Sequence, residues 1–172
     1  MVTVQESTER VALELAVRFE ESRGRTVTYV GDGWPRALLQ EVGAWVNDLV
    51  PNAPRVSCDL VSRAKDGQLA RLVEVKGRRG SSTSVSVIDR QRHTANTLGA
   101  SWWLYVAFDC GTPQPFLVVV EEPRRLPWKL LTPPRVVEPG THTRVQDEGL
   151  WHVMPSDIIS LGERVEVRME SS

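Results

Sequence analysis

Two β-rich segments separated by an Asp-Gly pair constrain the fold of this chain more than any other feature. The segments are 56–64 (VSCDLVSRA) and 68–78 (QLARLVEVKGR), and the pair is Asp66-Gly67. Asp and Gly both tolerate the positive φ angles of a two-residue type I′ turn. The pattern therefore predicts a tight β-hairpin in this part of the chain.

The register of this hairpin places two acidic residues opposite each other. Asp59 opposes Glu74, and Leu69 opposes Ala64. Because side chains alternate along a strand, Asp59, Glu74 and Lys76 are predicted to share one face. The opposite face, which we expect to be core, carries Cys58, Leu60, Val73 and Val75.

Two carboxylates that face each other across a strand pair destabilise the pair unless something compensates their charge. A divalent cation such as Mg²⁺ or Mn²⁺ would do so, because hard cations prefer oxygen ligands. Lys76 would then be placed to bind a phosphate or to orient a water, which is the chemistry of phosphodiester cleavage. The alternative is an exposed ion pair between Glu74 and Lys76 that contributes little.

The remaining sequence predicts helices and strands in mixed order. Apolar periodicity and turn residues favour the following elements: a helix at 7–23 capped by Ser7 or Thr8, a strand at 26–30, a helix at 36–50, a strand at 85–88, a helix at 89–99 capped by Asp89, strands at 101–110 and 115–122, and a short helix near 156–161. This order predicts an α/β fold with a mixed sheet flanked by helices.

Composition limits the classes of function. The chain has 172 residues, enough for one domain with its own core. Its 21 Lys and Arg against 22 Asp and Glu mean that nucleic-acid binding requires a local basic patch. No apolar run approaches the ~18 residues of a membrane helix, and the polar N-terminus lacks a secretory signal. We therefore expect a cytoplasmic protein with no membrane partner.

The two cysteines, Cys58 and Cys110, are expected to be buried free thiols in a reducing compartment. No CxxC pair occurs, and the three histidines have no ligand spacing, so the sequence offers no zinc site.

A basic cluster lies beside the hairpin and in the helix that follows it. We expect its members to contact DNA phosphates, although an ordinary solvated surface is the alternative. These residues are Arg78, Arg79, Arg90, Arg92 and His93.

The acidic pair and the lysine resemble a known signature. Asp59 followed by Glu74-Val75-Lys76 resembles the D-x(n)-E-x-K motif of the PD-(D/E)XK restriction-endonuclease-like superfamily. The segments CDLVSR, VEVKGR and WWLYV, in that order, resemble the Protein NO VEIN C-terminal domain family over residues 8–122. The resemblance implies a restriction-endonuclease-like α-β-β-β-α-β core in a nuclease-like domain at 1–128. A helical insertion at about 31–54 and a C-terminal extension at 129–172, packed on the same domain, would complete the fold.

The resemblance also implies roles for individual residues. Asp59 and Glu74 would bind Mg²⁺ or Mn²⁺ together with Val75, and Lys76 would be the catalytic lysine. Two further positions match residues found in some superfamily members: Glu9, as an acid from the first helix, and Gln91, as a polar residue from the helix after the motif.

The function implied is a metal-dependent DNA endonuclease of a restriction or phage-defence system, acting as a homodimer or as a subunit of a larger defence complex. The alternative is a catalytically inactive nuclease-fold module that binds DNA or protein. Two departures from the family pattern concern the site: Cys58 replaces the usual glycine before the aspartate, and Ala95 replaces the tyrosine of an exonuclease branch.

Overall fold

The computed structural model describes residues 4–31, 33–132 and 149–167, and residues 4–6 are described as backbone only. The helices are α1 (Val4–Ser22), α2 (Arg36–Leu49), α3 (Asp89–Leu98) and α4 (Pro155–Leu161). The strands are β1 (Thr26–Tyr29), β2 (Leu60–Arg63), β3 (Leu69–Gly77), β4 (Val85–Ile88), β5 (Trp102–Phe108), β6 (Phe116–Val120), β7 (Lys129–Thr132), β8 (Leu150–Val153) and β9 (Glu163–Val165).

Six strands form the main sheet in the order β1-β2-β3-β5-β6-β9, and a smaller sheet has the order β4-β8-β7. In the main sheet β3 and β5 run parallel, whereas the other neighbours are antiparallel. The connection from β3 to β5 passes through β4 and α3, as a parallel pair requires a crossover. The predicted α/β fold, with a mixed sheet flanked by helices, is confirmed.

Helix α1 covers one face of the main sheet. Its buried stripe is Ala12, Leu15, Ala16 and Phe19. The predicted caps are wrong, because α1 begins at Val4 and so contains Ser7 and Thr8. The predicted end is confirmed: Gly24 has a φ of 71°, the left-handed conformation that glycine accepts most easily.

The opposite face is covered by α2, α3, α4 and the smaller sheet, which contribute to a second apolar cluster. Val61 and Leu72 belong to this cluster, whereas Leu60, Val73 and Val75 pack against α1, as alternation predicts. Cys58 is the exception, because it packs with Val61 rather than with Leu60. The chain bends at Asp59, where regular alternation along β2 is lost.

The hairpin turn differs from the prediction. Neither Lys65 nor Asp66 has a positive φ, and only Gly67 does, at 84°. The N–H of Gly67 donates to Ala64, and the N–H of Ala64 donates to Gln68, at 2.9 Å each. The loop is therefore a three-residue one, in which a type I turn is followed by a left-handed glycine.

The register changes again between Ser62 and Arg63. Arg63 pairs with Leu69, so the predicted pairing of Leu69 with Ala64 is wrong. Ser62 pairs with Arg71, which leaves Ala70 as an extra residue on β3. This irregularity offsets the longer loop, so that Leu60↔Val73 and Val61↔Leu72 follow the predicted register.

Helix α3 does not have Asp89 as its cap. Ile88 holds the cap position, and its N–H donates to Gln91 Oε1 at 3.1 Å. The Asp89 carboxylate instead accepts from the Gly149 N–H at 2.7 Å and from Trp151 Nε1 at 2.6 Å. These contacts join the start of α3 to the chain that leads into β8.

The C-terminal part of the chain contributes to both sheets. Strand β9 pairs with β6, and β8 pairs with β4 and β7. Residues 133–148 and 168–172 of the predicted extension lie outside the described residues, and the division at residue 128 stays a prediction. Within the described ranges, no helix combines the length and the apolar character needed to cross a membrane.

Candidate functional site

A cavity of about 480 Å³ lies at the C-terminal end of β3. It is lined by Thr8, Glu9, Ala12, Leu13, Tyr29, Asp59, Glu74, Val75, Lys76, Gly77, Arg78 and Gln91. Helix α1 reaches it from one face of the sheet and α3 from the other. The cavity opens to solvent, because Glu9 and Tyr29 are exposed. It therefore contains the acidic pair, the lysine, Glu9 and Gln91.

Glu74 is the centre of the hydrogen-bond network in this cavity. It is 1% exposed, and its Oε1 accepts from Lys76 Nζ at 2.6 Å and from Gln91 Nε2. Its Oε2 is buried and has no hydrogen-bond partner among the described residues. A buried acceptor without a partner is rare in folded proteins, and it indicates a group that the protein alone does not satisfy.

Asp59 is held by the backbone of the neighbouring strand. Its Oδ2 accepts from the Val75 N–H at 2.8 Å, and its own N–H donates to the Val73 carbonyl at 2.9 Å. It directly precedes β2 and lies in a bend, so it is outside the regular ladder in which it was predicted to oppose Glu74. The bend still leaves its carboxylate in the same cavity as Glu74.

Burial disfavours the charged forms of both acids. Desolvation raises the pKa of Glu74 to about 7, with Lys76 opposing the rise and Asp59 adding to it. Desolvation likewise raises the pKa of Asp59, against the Val75 hydrogen bond and the charge of Lys76, while Glu9 raises it further. The cavity thus holds carboxyl groups whose negative charge is under-compensated by the protein.

The cavity contains carboxyl oxygens of the kind that divalent cations prefer as ligands. Glu74 Oε2 is an orphaned oxygen, and Asp59 is a second carboxylate, the donor type that Mg²⁺ and Mn²⁺ prefer. Val75 and Glu9 line the same cavity. Within the described part of the chain, however, no group of three or more His, Cys, Asp or Glu is arranged to hold a metal. Any bound Mg²⁺ would therefore keep several waters, as it commonly does.

Gly77 brings α1 close to the end of β3. A Cβ at this position would lie 2.7 Å from the carbonyl oxygen of Thr8, which is too short for any side chain. The glycine therefore permits the close approach that places Thr8 and Glu9 in the cavity. Glu14, by contrast, pairs with Arg18 at 2.9 Å and does not line the cavity.

The predicted basic cluster is divided by the fold. Arg78 lines the cavity and donates to the carbonyls of Ser84 and Gly77. Arg90 is exposed, and its charge lowers the pKa of Glu74, so it is near the site. Arg79 is exposed but packs against Gly111.

Arg92 and His93 do not line the cavity. The Arg92 guanidinium lies 5.8 Å from the ring centre of Trp128 and 5.7 Å from that of Trp151. Burial lowers the pKa of Arg92. His93 is exposed on α3. Arg92 therefore packs against two tryptophans, and the contact of Arg92 and His93 with DNA stays a prediction.

Sequence reasoning missed two features. Tyr29 lines the cavity with 45% of its surface exposed, and no local signal separates it from the other residues of a short strand. Glu20 is fully buried on the α1 face, where it accepts from Ser62 and Tyr105 and lies 3.9 Å from Arg71 Nη1. Desolvation and the neighbouring Glu20 charge raise the pKa of Tyr105.

Both cysteines are free, as expected. Cys58 is buried, and Cys110 is half-buried. Burial raises the pKa of each thiol, which disfavours the thiolate form.

Comparison with known proteins identifies the family. No curated protein and no solved structure gives a significant match to the chain. The family model described as Protein NO VEIN, C-terminal, matches residues 8–119, well over half of the sequence. The matched range includes most of α1, the hairpin, α3 and every acidic residue of the cavity. The chain therefore belongs to the Protein NO VEIN C-terminal family.

Proposed function

We propose that this protein is a metal-dependent endonuclease that hydrolyses DNA phosphodiester bonds. The observation that carries the proposal is the buried, unpartnered Oε2 of Glu74 in a cavity shared with Asp59 and Lys76. With α2 and β4 treated as additions, the order α1, β1, β2, β3, α3, β5 is also the order expected of a restriction-endonuclease-like core. That likeness is the reason to place the enzyme in a restriction or phage-defence system.

Asp59 and Glu74 would hold Mg²⁺ or Mn²⁺, with Val75 and Glu9 as further candidates. The ion, when bound, polarises a phosphoryl oxygen and lowers the pKa of a bound water. Lys76 would lie beside the reacting phosphate and would stabilise the negative charge that develops there. Gln91 and Lys76 both donate to Glu74 Oε1, so they orient the carboxylate and leave Oε2 facing away from them.

The basic residues near the cavity support DNA as the partner. Arg78 lines it and Arg90 is exposed beside it, where both would attract a phosphate backbone. Cleavage of both strands of a duplex needs two such sites. We therefore propose a homodimer or a larger defence complex as the active form for duplex DNA.

A cleavage assay on plasmid, linear duplex and single-stranded DNA with Mg²⁺ or Mn²⁺ tests the proposal. Lys76→Gln keeps a donor for Glu74 but removes the charge, so we expect the rate to fall on the order of a hundredfold. Lys129→Ala, which removes an exposed lysine of β7, should cleave like the wild type. Intact DNA with the wild type in both ions, or unchanged cleavage by Lys76→Gln, would refute the assignment.

A second candidate is a catalytically inactive nuclease-fold module that binds DNA or protein. It is favoured by one observation, that no three potential ligands converge among the described residues. The two candidates differ in their response to metal. A module without a metal site should gain no thermal stability from Mn²⁺, whereas a functional carboxylate pair should gain it through linkage.

A further inference from the structure

Tyr29 is an exposed aromatic residue in a cavity whose other polar groups suit phosphate chemistry. It ends β1 and pairs with Leu60, the residue directly after Asp59. The N–H of Val30 donates to the Asp59 carbonyl at 2.8 Å, which ties the end of β1 to the acidic site. With 45% of its surface exposed, Tyr29 is not part of either apolar cluster.

The tyrosine ring lies against Gly31, two residues beyond the end of the strand. A Cβ at residue 31 would lie 2.2 Å from the Tyr29 hydroxyl oxygen and 2.5 Å from Cζ. The φ of Gly31 is outside the left-handed region, so its backbone conformation does not require glycine. Glycine at 31 therefore serves to make space for the ring, which lies over this position instead of entering the core.

The lining of the cavity combines two kinds of chemistry. Ala12, Leu13 and Tyr29 are apolar or aromatic, whereas Glu74 and Lys76 are charged. A nucleotide has the same two parts, because its base offers an apolar π face and its phosphate an anion. The volume of about 480 Å³ lies within the range of sites that enclose small ligands.

Resting on the nuclease function above, we propose that Tyr29 is a stacking platform for the base beside the scissile phosphate, and that the preferred substrate is single-stranded DNA. Aromatic side chains bind bases of any sequence by stacking, because every base has a π face. In a duplex that face is already stacked, so the base must first be extruded at a cost in free energy. An unpaired strand does not incur this cost.

Fluorescence anisotropy with a labelled oligonucleotide in Ca²⁺ tests the platform without requiring cleavage. We expect Tyr29→Ala to weaken single-strand binding roughly tenfold to a hundredfold, as for other stacked bases. Tyr29→Phe keeps the ring and should bind within about twofold of the wild type. Leu130→Ala removes a side chain of the same 45% exposure on β7 and should have no effect.

A second substrate and a second variant extend the test. The wild type should bind the single strand more tightly than a duplex of the same sequence, and Tyr29→Ala should narrow that difference. Gly31→Ala should weaken single-strand binding as Tyr29→Ala does, because the added Cβ displaces the tyrosine ring. This variant replaces Tyr29→Ala in the test if Tyr29→Ala does not fold. Circular dichroism of each variant checks the fold.

The proposal is overturned if Tyr29→Ala binds the single strand like the wild type, if Tyr29→Phe loses as much affinity as Tyr29→Ala, or if the wild type prefers the duplex. Failure of the nuclease proposal gives a different result from failure of the stacking proposal. If only the nuclease proposal is wrong, the wild-type protein leaves DNA uncut in Mg²⁺ and Mn²⁺, but Tyr29→Ala still weakens single-strand binding, which supports the stacking subsite.

Discussion

Glu74→Gln should stabilise the metal-free protein, and the gain should grow with pH. Burial raises the pKa of Glu74 from an ordinary 4.5 to about 7. The folded state therefore binds an extra proton between these values, so the wild type loses stability as pH rises through this window. At about 1.4 kcal/mol for each pH unit, the loss reaches about 3 kcal/mol by pH 8. A glutamine keeps Oε1 as the acceptor for Lys76 and Gln91 and does not titrate.

Urea or thermal unfolding of both proteins in EDTA at pH 5 and pH 8 measures this effect. Between the two conditions the advantage of Glu74→Gln should widen by about 2 to 3 kcal/mol, or roughly 5–10 °C in Tm. Glu14→Gln, at a half-buried position on α1 outside the cavity, should follow the wild type at both pH values. An advantage of equal size at pH 5 and pH 8 would show that ionised Glu74 is not costly to the folded state.

Three further predictions follow from the geometry. Asp59→Asn should lose most of the thermal stabilisation that Mn²⁺ gives the wild type in a thermal-shift titration, and an undiminished shift would remove Asp59 from the metal site. Gly77→Ala should lower the free energy of unfolding by about 1–3 kcal/mol, because the added Cβ would clash with the Thr8 carbonyl. Gly80→Ala should lower it far less, because a Cβ at residue 80 would have no atom within 4 Å. Glu20→Ala should cost about 3–5 kcal/mol in urea unfolding, since it leaves a buried arginine without its carboxylate, and a loss below 1 kcal/mol would contradict this role.

The hairpin illustrates how far sequence reasoning reaches. Asp66-Gly67 correctly located the reversal, but the same pair fits both a two-residue turn and a type I turn with a left-handed glycine. The structure adopts the second, and the extra residue Ala70 compensates. The local sequence does not indicate which of the two turns forms. It does not indicate the extra residue either, because a strand tolerates one wherever packing on its two faces still matches.

Two kinds of reasoning led to the residues of the candidate site. The predicted hairpin and strand alternation selected Asp59, Glu74 and Lys76, whereas Glu9 and Gln91 came from the family resemblance, and all five line the cavity. The contacts of Arg92 with Trp128 and Trp151 could not be predicted, because both tryptophans lie far along the chain. Tyr29 gave no signal, since its exposure depends on how β1 sits beside the cavity.

The sequence by itself determined that Glu74 and Lys76 share a face, because residues two apart on a strand point the same way. It also determined the α/β class, through the order of its periodic segments. Only the tertiary structure decided that Glu74 is buried with an oxygen unpartnered, because desolvation depends on α1, α3 and the neighbouring strands together. The alternation of a strand is a local property of the backbone, whereas the electrostatic environment of a carboxylate is a property of everything packed around it.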